Sequence, residues 1–327
     1  MPGLHMKTLI PACLVALLFL SYPVKDAAAD ERSNPVAAPG INRNMIVRPV
    51  DVYGEFNKIS RLIDAMGFYM GVSPPALWGV KVSDVTPYDI YFQALGVFNT
   101  ANRLSFEILR KRSKSSPQTP ENIQPADIMQ LAVNTFIVLK RVADDFHISI
   151  KHAANPIGIV TPKDVFTEIV KAKRYLNLLL QRRFSPSDVY QIVNRAIGYA
   201  SLLLKHYQSP ELIPAAPEFE AGKTPQDVFF RLNGCLLILS KTYEASGMEV
   251  PGYDLSGVDK TTITPGDVFD LASLLVARLH FYNKAVGVQK LPGKTYYPGH
   301  KYPSHTYRQI GILLAQLDLI LSEVNEK

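Results

Sequence analysis

Cysteine is nearly missing from this chain, and that absence narrows what can hold it together. Two cysteines stand in 327 residues, and Cys13 belongs to the N-terminal apolar segment. Cys235 is then alone, so no intramolecular disulfide framework exists. It falls ten residues after Pro225 on an apolar stripe and reads as a small buried hydrophobe. Long hydrophobic runs are also missing. Beyond the N-terminal segment no stretch approaches 18 consecutive apolar residues, so no membrane span is expected in the mature chain. Neither sign of charge dominates: 35 Lys and Arg face 29 Asp and Glu, a net charge of +6. So mild a surplus does not mark a nucleic-acid binder. There is no Gly-rich phosphate loop, no G-x-S-x-G elbow, no H-E-x-x-H and no C-x-x-C-H. A non-catalytic protein without cofactor or metal is expected, and an envelope hydrolase or metal enzyme ranks last.

The N-terminus carries the pattern of a secretory signal. Lys7 supplies the positive start, an apolar run extends from Leu9 to Leu20, and Ala27-Ala28-Ala29 precede Asp30. Residues 1–29 are read as a cleaved signal peptide and the protein as periplasmic or secreted. Retention of the segment as an anchor is the alternative. Residues 30–46, polar and holding Pro35 and Pro39, read as a flexible leader.

The body of the chain repeats one phrase: Pro, any residue, Asp, then Val or Ile. Copies start at Pro49, Pro87, Pro125, Pro162, Pro186, Pro225, Pro265 and Pro303. Asp51, Asp89, Asp127, Asp164, Asp188, Asp227 and Asp267 occupy the third position, and His305 stands there in the last copy. Proline suits the first helical position because its missing N–H had no intrahelical partner. Thr86, Thr161, Ser185, Thr224 and Thr264 precede the proline as N-caps. The Asp then falls at N3, within reach of the cap N–H and in the positive end of the helix dipole. These carboxylates read as structural caps, not as an acid–base or metal set.

Positions seven and fourteen after each proline are apolar in every copy, from Phe56 and Ile63 to Ile310 and Leu317. Helical periodicity of that length predicts eight long helices and an all-α fold. Successive prolines lie 38, 38, 37, 24, 39, 40 and 38 residues apart. The short central interval suggests a tandem duplication into two four-helix units, residues 47–183 and 184–327, with long irregular connections. Two tandem bundles or one eight-helix array fit better than an open solenoid. The link from Arg182 to Ser185 predicts that the fourth and fifth helices run antiparallel and pack together. Elsewhere the connections are long enough for either parallel or alternating helices.

Three connections are candidates for function. Residues 72–84 hold Trp78, the only tryptophan, which either packs down or offers an aromatic contact. Residues 110–122 begin with Arg110, Lys111, Arg112 and Lys114, which suit a helix C-terminus. Residues 290–307 are the strongest candidate. They interleave Tyr296, Tyr297, Tyr302 and Tyr307 with His300, His305 and lysines, the usual material of a recognition surface. His300 with His305, and His147 with His152 near Asp144 and Asp145, are too sparse for a metal site. The functional expectation is a binding or scaffolding module of the cell envelope, contacting an envelope protein or a small polar or anionic ligand. A sensor-type bundle holding a small molecule between its helices is the alternative.

Overall fold

The computed structural model describes residues 40–43, 45–75, 81–111, 117–149, 158–256 and 258–326. The signal segment, most of the leader, Trp78, Arg112, Lys114 and His152 lie outside the described residues. The chain is all-α. Among the described residues the helices are α1 (Pro49–Met70), α2 (Pro87–Leu109), α3 (Pro125–Asp145), α4 (Pro162–Leu179), α5 (Pro186–His206), α6 (Pro225–Ala245), α7 (Pro265–Ala285) and α8 (Pro303–Asn325). Each begins at a proline of the repeated phrase.

At every start the N3 side chain accepts a hydrogen bond from the N-cap N–H. Thr86 N donates to Asp89 Oδ2 at 2.9 Å, Thr161 N to Asp164 at 2.8 Å and Thr224 N to Asp227 at 2.8 Å. Arg48, Gln124, Ser185 and Thr264 do the same toward Asp51, Asp127, Asp188 and Asp267. In α8 the ring Nδ1 of His305 takes this role, 3.1 Å from Tyr302 N.

The helices pack in two sets of four with one pairing pattern. In α1–α4 the first two helices each pack on the last two, and α5–α8 repeat this. Consecutive helices 1 and 2, or 3 and 4, of a set therefore sit on diagonals. Within a set all helices run the same way. Pro186, Pro225, Pro265 and Pro303 line one void of about 10 Å³, so all four starts of the second set meet at one end. In the first set Tyr69 near the end of α1 stacks on Phe146 just past α3, and Gly67 of α1 abuts Tyr175 near the end of α4. Thr86 and Thr161, the caps of α2 and α4, line one cleft.

Parallel neighbours require each connection to travel back the length of a helix, about 30 Å for 20 residues. Two Pro-bearing straps do this along the second bundle, and glycines make room for them. Pro292 seats on Gly198 of α5, where a Cβ would come within 2.7 Å of the proline Cβ. Pro217 seats on Gly311 of α8, where a Cβ would come within 2.5 Å of the proline ring.

The two bundles meet through α2 and α7, which run antiparallel: Asp89 lies near Arg278, and Gln93 Nε2 donates to Asp270 O. A two-residue ladder, β1 (Lys81–Val82) against β2 (Tyr253–Asp254), joins one connection of each bundle. One expectation fails here. The link after α4 is short, yet α4 and α5 do not pack along their lengths. A short link fixes only helix ends. α4 packs on α1 and α2 and meets α7 mainly where Arg174 Nη2 donates to Asp267 Oδ1 at 2.7 Å, while α5 turns its stripe to α7 and α8.

Candidate functional site

The strap from α7 to α8 is pinned to the bundle before it shows its aromatic residues. Beyond Pro292, Gln191 Nε2 donates to Thr295 O at 2.9 Å, and Lys301 N donates to Ser187 Oγ at 2.9 Å. Arg182 Nη2 donates to Tyr297 OH at 2.5 Å, and its guanidinium lies 5.5 Å from the same ring. Lys301 Nζ lies 5.2 Å from the Tyr190 ring. With its backbone fixed, the strap leaves Tyr296 81%, Tyr302 60% and Tyr297 49% exposed.

Three of the rings expected from the sequence come together, and a fourth joins them. His300 meets Tyr302 edge-on at 4.8 Å between centroids, Tyr302 stacks on His305 at 5.8 Å, and His305 lies 5.2 Å from Phe219. The result is a solvent-facing row, His300–Tyr302–His305–Phe219. Phe219 comes from the other strap, held in place by Pro217 and by Arg308 Nε donating to Pro217 O at 2.8 Å. It was not singled out in the sequence, because it follows no helical period and stands in a Pro-rich connection far from the others. Tyr307 is not part of this row. Lys223 and Arg231 both lie over its ring, at 4.4 and 3.9 Å from the centroid. Tyr296 and Tyr297 sit on the strap before the row, with Tyr297 bound to Arg182. Among the described residues no group of three His, Cys, Asp or Glu is placed to hold a metal.

The second notable region is the polar seam between the bundles, which the sequence did not reveal. Lys173 is fully buried and pairs with Asp270 and with Gln93. Arg174 bridges Asp270 and Asp267, at 2.9 and 2.7 Å. Burial pushes the Lys173 ammonium down, and Asp270 opposes that. Further along, Asp89 and Arg278 are both buried, 4.0 Å apart. Burial raises the Asp89 carboxyl and lowers the Arg278 guanidinium, each partly countered by the other's charge. Asp89 is thus a cap and an interface charge at once. Nothing in its motif distinguishes it from the other six. Beside it His280 accepts from Tyr199 OH through Nδ1 at 2.7 Å, and its Nε2 lies 3.2 Å from Glu121 O. Burial pushes this imidazole down to about 4.

Over the seam a cleft of about 300 Å³ opens between α4 and α7, lined by Arg174, Asn177, Phe184, Asp259, Asp267 and Asp270 among others. Cys235 is wholly buried, and burial raises its thiol, so it is no nucleophile. Comparison of the chain with protein-family models, curated proteins and solved structures returned no match.

Proposed function

We propose that this is an exported, non-catalytic helical-repeat protein that serves as a binding or scaffolding module in the cell envelope. The contact surface in this reading is the end of the second bundle that carries the ring row and the exposed tyrosines of the strap. The supporting observation is the combination of a pinned backbone with exposed aromatic side chains. Tyr296, Tyr297 and Tyr302 stay open to solvent while Pro292, Thr295 and Lys301 are fixed to α5. A pre-ordered aromatic surface loses little conformational entropy on binding. The void where the four helix starts of the second bundle meet is too small for any ligand, which also fits a scaffold. The shared pairing pattern of the two bundles supports a tandem duplication, and the N-terminal segment supports export.

The test is replacement of Tyr296, Tyr297 and Tyr302 by Ala together. Capture of an envelope partner should disappear while the melting temperature changes little. A large fall in melting temperature, with capture intact in the folded fraction, would make these tyrosines structural and refute the reading. The sensor-type alternative rests on the cleft between α4 and α7. It requires a small molecule to co-purify, visible by native mass spectrometry, and to be lost on Phe184→Ala.

A further inference from the structure

We infer that the partner at the ring row is an acidic segment of another protein, docked across Tyr302, His305 and Phe219. The inference rests on the binding-module reading and adds the chemistry of the partner.

Three observations carry it. The first is exposure: Tyr302 is 60% and Phe219 49% exposed, and His300 is open to solvent. Soluble proteins show scattered apolar side chains, but a contiguous row of rings marks an interaction site. The second is charge. Lys301 stands between His300 and Tyr302 in the chain, Arg308 Nε donates to Pro217 O two residues from Phe219, and Arg231 lies on the neighbouring Tyr307, while Arg182 lies beside Tyr297. Glu218 and Glu220 flank Phe219 in the chain; Glu220 and Lys223 pair at 2.6 Å and offset each other, which leaves Lys301, Arg231 and Arg308 against Glu218. At the centre of the row the position that holds a carboxylate in the other seven helices holds His305. The local balance therefore favours an anionic partner and disfavours a cationic one.

The third is ring orientation. Successive rings are tilted by 89°, 27° and 52°. They share no plane, so they form wedges between faces and not a flat platform. Wedges of Tyr, His and Phe with nearby Arg accept side chains, as interface hot spots do. An acidic peptide supplies both the apolar side chain for a wedge and the carboxylate for the cations.

The experiment uses the full chain and a fluorescein-labelled peptide of Glu, Gly and Phe, read by anisotropy. The same peptide with Gln for Glu, polygalacturonate and phosphatidylglycerol vesicles are the comparison probes. The Glu peptide should bind with an affinity that falls as salt rises, and the Gln peptide should not. His305→Asp restores the cap used by the other helices, so it should leave the melting temperature unchanged or higher. It should nevertheless weaken the Glu peptide about tenfold, and Phe219→Ala should do the same. No binding of the Glu peptide, stronger binding of polygalacturonate or of the vesicles, or indifference to His305→Asp overturns the inference. The two readings fail separately. If an envelope partner is captured, is lost in the triple tyrosine variant and ignores His305→Asp, the binding module stands and the acidic partner falls. If nothing is captured in any form, the binding module falls.

Discussion

One motif residue does two different jobs in this protein, and the difference is entirely environmental. Asp227 sits at the surface, its carboxyl held below the usual range first by the Thr224 backbone N–H and then by the Thr224 hydroxyl. Replacing it with Ala should remove a cap and cost about 1 kcal/mol in denaturant unfolding. Asp89 has the same cap geometry but is buried against Arg278. Asp89→Ala leaves that guanidinium buried without its counter-charge and should cost about 3 kcal/mol or more. Equal costs at the two sites would show that the Asp89–Arg278 pair contributes nothing. His280 gives a pH signature at the same scale. Its folded value is about 4, while an unfolded histidine titrates near 6.5. Between those values the unfolded state binds more protons, so stability rises with pH across that window. It is fully present above about 6.5 and lost as pH falls toward 4, by roughly 3 kcal/mol. In His280→Gln the slope of unfolding free energy against pH should flatten there; an unchanged slope would place the titration elsewhere.

At the scale of the element, the local signals carried the helices and little beyond them. The eight starts were legible because Pro at N1 and a carboxylate at N3 act within four residues, and the stripe behind each reports one buried face. The order of the helices was not legible, since connections of that length reach either end. The expected packing of α4 on α5 failed because link length limits ends and not faces. The row was half legible. Tyr302, His300 and His305 stood close in sequence, but Phe219 arrives from a strap more than eighty residues away. The glycines under the straps were silent too, because a glycine within a helix looks like a weak position until its neighbour is known. Gly198→Ala improves helix propensity by up to about 1 kcal/mol, yet its Cβ would meet Pro292 Cβ at 2.7 Å. The clash should prevail, with a net loss of about 1–2 kcal/mol. Gly234→Ala is the control, since its Cβ would find Leu314 at an ordinary 3.7 Å. It should raise the melting temperature; a gain at both positions would mean that the strap yields freely.

At the scale of the molecule, one apolar core runs through both bundles, and a charged seam is set into the face where they meet. Asp270→Asn should cost about 3–5 kcal/mol, because Lys173 is then buried with its charge uncompensated. Lys173→Met combined with Asp270→Asn should cost less than that single change. Simple additivity in the double-mutant cycle would deny the coupling.

The diagonal placement of successive helices also has a temporal meaning. As the chain is made, α1 and α2 emerge without each other as partners, and neither is covered until α3 appears. The second bundle repeats the delay, with α5 and α6 waiting for α7 and α8. Within each bundle no antiparallel two-helix hairpin forms, and the first consecutive pair to pack is α2 with α3, so folding should be slow for an all-α protein. A chain stopped after α6 would hold the first four helices packed together and two helices whose apolar stripes still lack α7 and α8.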